Sequence, residues 1–130
     1  MAEHPNAEVV RRGYSAFANA DMEGIQNLFA DDVVWHVGGR SPLTGDYRGK
    51  EAVLGFLGDL VSQTEGTYGG EVHDVIASDT HAAALVRETG ERQGKKLDQN
   101  SVHLYHVANG KVTEGWFYPG DPYADDEFWS

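Results

Sequence analysis

The side chains best suited to move protons near neutral pH are six histidines and a late run of carboxylates, and His103 is the first candidate among them. Its surroundings can be read from one turn. Asn109-Gly110, set between apolar runs, predicts a two-residue hairpin loop. Ala108 then pairs with Lys111, Val107 with Val112, Tyr105 with Glu114, His103 with Trp116 and Ser101 with Tyr118. Cross-strand partners share a face. One face is therefore expected to carry Ser101, His103, Tyr105, Trp116 and Tyr118, and the other Asn100, Val102, Leu104, His106, Thr113, Gly115 and Phe117. An aromatic surface with a few polar tips suits a pocket that grips an apolar molecule and orients it by hydrogen bonds. The same residues would also make a core in which Tyr, His and Trp satisfy one another.

Asp121, just past the last strand, is the second acid/base candidate. It either pairs with His103 beside the pocket, where burial would raise its pKa, or caps the Pro119-Gly120 turn. Trp35 and Val37 share a face of an early strand and serve as pocket wall, with Tyr14 and Phe17 of the first helix; His36 points the other way. Other chemistries lack their residues. With no cysteine, thiolate metal sites and cysteine nucleophiles are excluded. His103 and His106 are three apart on a strand and face opposite sides, and His36, His73 and His81 form no ligand motif, so no metal is expected. Gly38-Gly39 and Gly69-Gly70 are simple pairs rather than phosphate loops, and there is no serine elbow. No cofactor is expected.

These candidates need elements to hold them. Asn6 is expected to cap a first helix running to about Asn19, with Val10, Tyr14, Phe17 and Ala18 on one face. Asp21 caps a second, whose stripe is Met22, Ile25, Leu28 and Phe29. Residues 33–37 read as a strand, 40–49 as a loop, and 50–63 as a third helix with Val53, Leu57, Leu60 and Val61 inside. Long strands follow over about 67–77, 81–91, 97–107 and 111–118. The tail 121–130 carries Tyr123, Phe128 and Trp129 and is expected to fold back over the domain or pack on a partner. Helices first and a strand meander later give an α+β class, with the helices gathered on one face of a mostly antiparallel sheet.

The 130 residues make one domain, 40% apolar and 24% charged, within the globular range. A formal charge of −11 repels phosphate backbones and anionic lipids, so neither nucleic acid nor membrane is an expected partner. No run approaches the roughly 18 apolar residues of a membrane span. Met1 to Glu8 contains no apolar signal-peptide core, which makes the cytoplasm the default location.

Several strings resemble the nuclear-transport-factor-2-like superfamily, and within it the SnoaL-like group. Leu28-Phe29-Ala30-Asp31-Asp32-Val33-Val34-Trp35 is similar to its helix-to-strand junction, and Tyr14-Ser15-Ala16-Phe17 with Asp21 to its first two helices. Val102-His103-Leu104-Tyr105 and Asn109-Gly110-Lys111-Val112-Thr113-Glu114-Gly115-Trp116 resemble its final hairpin, and Asp121-Pro122-Tyr123-Ala124 with Glu127-Phe128-Trp129 its ending. The resemblance implies a cone-shaped, bent antiparallel or mixed sheet wrapped by three helices, a cystatin-like roll, around a conical pocket. It also implies a homodimer through the outer sheet face. Ketosteroid isomerases of this fold would place their tyrosine and two aspartates near Gly13, Val37 and His103; epoxide hydrolases would need acid and arginine near Ala84, Val86 and Tyr118. Those residues are absent. The SnoaL-type cyclases use an acidic residue just after the last strand, close to Asp121.

Three functions follow. The chain is a cofactor-free isomerase, cyclase, dehydratase or hydrolase of an apolar cyclic or polyketide-like molecule, with His103 as acid/base and Asp121 as helper. Alternatively it only binds such a molecule, or it is a dimeric module whose pocket its own side chains fill. A cavity well below roughly 300 Å³ would favour the last.

Overall fold

The computed structural model describes residues 3–130; Met1 and Ala2, which open the segment read above for a signal-peptide core, lie outside them. The chain runs α1 (Pro5–Ala18), α2 (Met22–Asn27), β1 (Phe29–Val37), β2 (Gly45–Arg48), α3 (Lys50–Gln63), β3 (Gly69–Ala77), β4 (His81–Arg92), β5 (Lys95–Ala108), β6 (Lys111–Tyr118) and α4 (Pro122–Trp129). The six strands form one mixed sheet in the order β2-β1-β6-β5-β4-β3. Only the β1–β6 pair is parallel. This is the α+β class expected from the sequence, with a mixed sheet and a fourth helix beyond the three expected. No described helix is long and apolar enough to cross a membrane.

Local chemistry explains the element ends, including those read differently above. The first cap is His4, whose Nδ1 accepts from the Asn6 N–H at 3.1 Å, because Pro5 takes the first helical position, where a missing N–H costs nothing. Asp21 caps α2 as expected, accepting from the Gly24 N–H at 2.9 Å. Phe29 belongs to β1 rather than to the α2 stripe. Gly45–Arg48, read as loop, becomes an edge strand by pairing with Val34–Val37. The aromatic tail folds back on its own domain as α4. Asp121 caps it, accepting from the Ala124 N–H, and Phe128 and Trp129 are 2% and 4% exposed.

The hairpin register departs from the sequence reading. Val107 pairs with Val112 and Ala108 with Lys111, but His106 then pairs with Glu114, leaving Thr113 as an extra residue. From there β6 is shifted by one: Tyr105 opposes Gly115, His103 opposes Phe117 and Leu104 opposes Trp116. A one-residue bulge turns every following side chain to the other face. Ser101, His103 and Tyr105 remain inside, whereas Trp116 and Tyr118 lie on the outer face and Phe117 takes their expected place. Gly115 permits close packing inside, since a Cβ there would lie 3.1 Å from the Trp35 indole.

Candidate functional site

The inner face of β5 supplies the site by strict alternation: Leu97, Gln99, Ser101, His103, Tyr105 and Val107 are all buried. The same alternation on β4 brings Ala82, Ala84, Val86 and then Glu88 inward. Glu88 thus reaches His103, Oε1 to Nε2 at 3.7 Å, with both side chains almost fully buried. That is ion-pair range and longer than a hydrogen bond. The other ring nitrogen is firmly held. Nδ1 of His103 lies 2.5 Å from the Tyr14 hydroxyl, which is 2.7 Å from the Tyr105 hydroxyl. Burial raises the pKa values of Tyr14 and Tyr105, so both remain protonated. Tyr14 can therefore donate to a neutral His103 at Nδ1, which leaves the hydrogen on Nε2, facing Glu88.

Two carboxylates share this space with opposite shifts. Burial alone would raise the Glu88 pKa, but the interaction with His103, with Ser101 and the Tyr68 hydroxyl, outweighs it and holds Glu88 at about 2. Tyr68 donates to Glu88 Oε2 at 2.6 Å. Ser101 favours the charged form although its Oγ meets no partner with full hydrogen-bond geometry. Asp125, on the first turn of α4, is pushed up to about 6, first by burial and then by the Glu88 charge. Gln99 Nε2 donates to it at 2.9 Å and partly offsets the shift. One carboxylate stays charged and the other titrates near neutrality, the kind of separation that assigns acid and base roles.

These groups line a cavity of about 90 Å³, walled by Trp35, Phe56, Leu60, Phe117 and Trp129 with His103, Glu88 and Asp125 as its polar points. Behind Trp35, Tyr68 and Tyr105 lies a second apolar cavity of about 70 Å³, lined by Tyr14, Phe17 and Leu28. Both are well below the roughly 300 Å³ of ordinary ligand sites. Of the expected residues, Trp35, Val37, His103 and Tyr105 line the first cavity, and Tyr14 and Phe17 the second. Ser101 is buried beside Glu88. Trp116 and Tyr118 are removed from the inner wall by the Thr113 bulge, and Asp121 is an exposed cap that does not line the cavity. The sequence reading missed Glu88, Tyr68, Gln99 and Asp125. Glu88 could have been found, because it continues the inward series Ala82, Ala84, Val86. Among the described residues no cluster of three metal-ligating side chains occurs.

The SnoaL-like domain pattern matches residues 10–115. Uncharacterised proteins of Mycobacterium bovis and Mycobacterium tuberculosis are 34% identical over 131 residues, covering both chains completely. Bal32a, from a soil-derived mobile gene cassette, superimposes with a TM-score of 0.94 at 38% identity, with 97% of each chain covered. At fold level only, TerC co-crystallised with polyporic acid superimposes with a TM-score of 0.83 at 22% identity, over 96% of this chain and 98% of the other. A domain pattern over most of the chain, a full-length sequence relative and a matching fold lead to one conclusion: the chain belongs to the SnoaL-like domain family.

Proposed function

We propose that this SnoaL-like protein is a cofactor-independent enzyme that moves a proton on a small, apolar, ring-bearing molecule. The observation that carries the reading is the placement of His103. Its Nδ1 is fixed by Tyr14, its Nε2 lies beside the carboxylate of Glu88, whose pKa is lowered to about 2, and His103, Glu88 and Asp125 line one cavity. In the neutral form that faces Glu88, Nε2 holds a hydrogen it can donate. In the other tautomer the hydrogen sits on Nδ1 and is donated to the Tyr14 hydroxyl, and the bare Nε2 takes a proton from the guest while the Glu88 carboxylate stabilises the imidazolium that forms. Asp125, titrating near neutrality, returns a proton to another atom of the guest. The aromatic walls exclude water from the edge of the ring that enters. A fold neighbour crystallised with polyporic acid supports a ring-bearing guest.

The cavity volume of about 90 Å³ favours one other reading, a non-catalytic domain whose own side chains fill most of the pocket. One experiment separates them. 5-Nitrobenzisoxazole is a neutral bicyclic probe: a base removes its C3 proton, the N–O bond breaks and a coloured phenolate appears. Turnover above buffer that falls about 100-fold or more in His103→Ala, while the variant still binds phenol, is the expected result. Equal rates for wild type and variant would overturn it.

A further inference from the structure

The inner cavity is smaller than the roughly 150 Å³ that holds one benzene. It therefore takes only the leading edge of a ring, and the rest of the molecule lies outside it. Outside it, between the end of β6 and α4, runs a groove of about 430 Å³. Its floor is Trp116, half-buried and stacked on His36 at 5.6 Å, with Tyr118 53% exposed. Its far wall is Pro122, Asp125 and Asp126 of α4. Groove and cavity share four wall residues, Gly38, Phe117, Pro119 and Asp125. Phe117 is the hinge of this arrangement. The Thr113 bulge turns it inward against His103 and turns Trp116 and Tyr118 outward into the groove.

We propose that the groove is an outer subsite of the same ligand site, taking a neutral aromatic ring that extends from the group held at His103. The proposal rests on reading the cavity as a ligand site. Charge decides the ligand class. Asp125 and Asp126 border the groove, and its one imidazole, His36, is already flanked by Asp46 at 2.7 Å and Glu114 at 2.5 Å. Among the described residues no Lys or Arg lines the groove, so a carboxylate or phosphate on the outer ring would face repulsion. An uncharged ring gains stacking on Trp116 and burial against Tyr118 and Pro122. Asp125 lines both spaces. Position 126 is fixed too, since its Oδ1 accepts the Arg40 N–H at 2.8 Å and ties α4 to the loop after β1.

The test is calorimetric titration with phenol, one ring with a hydroxyl for His103, and 4-phenylphenol, the same group with a second ring. The wild-type protein should bind 4-phenylphenol more tightly than phenol. Trp116→Ala and Tyr118→Ala should each weaken 4-phenylphenol, the first by roughly tenfold, and leave phenol unchanged. Tyr118→Ala removes an exposed side chain and guards against a folding defect in the other variant. Equal affinity for the two probes, or unchanged 4-phenylphenol binding in both variants, overturns the subsite and leaves the cavity reading intact. Binding of neither probe overturns the cavity reading itself, and the subsite with it. If Trp116→Ala instead dissociates a dimer in sedimentation while 4-phenylphenol binding is unchanged, the groove holds a second copy of the chain and the proposal fails.

Discussion

His103 and His36 stand on opposite faces of one sheet, two strands apart, and both lie near carboxylates. Inside, His103 is buried, its Nδ1 is held by Tyr14, and its one nearby carboxylate is itself buried and desolvated. Outside, both nitrogens of His36 bond to half-exposed Asp46 and Glu114, and these hydrogen bonds raise its pKa. Water screens the outer group, so its pairing is worth little. The inner group has no water to compete with, so each interaction fixes a proton. The same side chain becomes a candidate catalyst on one face and a surface ion pair on the other because of solvation.

The largest effect should come from opening the inner face. Phe128→Ala, at a 2% exposed position on α4, should cost about 3–5 kcal/mol in a denaturant melt. Next is Glu88→Gln. The Glu88 pKa is depressed from 4.5 to about 2, so its stabilisation is fully present above pH 4.5 and is lost as pH falls towards 2. The variant should lose about 3 kcal/mol at neutral pH and show a flatter acid branch in a pH series of melts. Asp125→Asn should act in the opposite direction. A carboxyl raised from 3.8 to about 6 costs stability above that pH, and the cost disappears as pH falls below 3.8. After discounting for its partial exposure, the variant should gain about 1 kcal/mol at pH 8 and nothing near pH 3. The smallest effect belongs to the outer histidine. His36 stabilises below its ordinary value of 6.5 and ceases to do so as pH rises through its higher folded value. His36→Gln should cost less than about 1 kcal/mol at pH 6 and nothing well above its titration.

Much of the inner face was legible because strand alternation is a short-range rule. Ser101, His103 and Tyr105 follow from it alone, and Glu88 follows from the same rule applied along β4. Trp116 and Tyr118 were assigned to the wrong face because a bulge at Thr113 leaves no residue type that announces it. Asp125 was hidden by the tail. The Asp121-Pro122 start signal for a helix was present, but only the packing of Phe128 and Trp129 brings the first turn of α4 over the cavity. Gly45–Arg48 is a strand only through its partner, β1.

The most direct test of proton transfer on the inner face is to compare turnover of 5-nitrobenzisoxazole by the wild type, His103→Ala and His36→Ala across pH 5 to 9. The expected result is a rate that depends on pH and is lost by about 100-fold or more in His103→Ala, with His36→Ala indistinguishable from the wild type. Equal losses in the two variants, or none in His103→Ala, would contradict it.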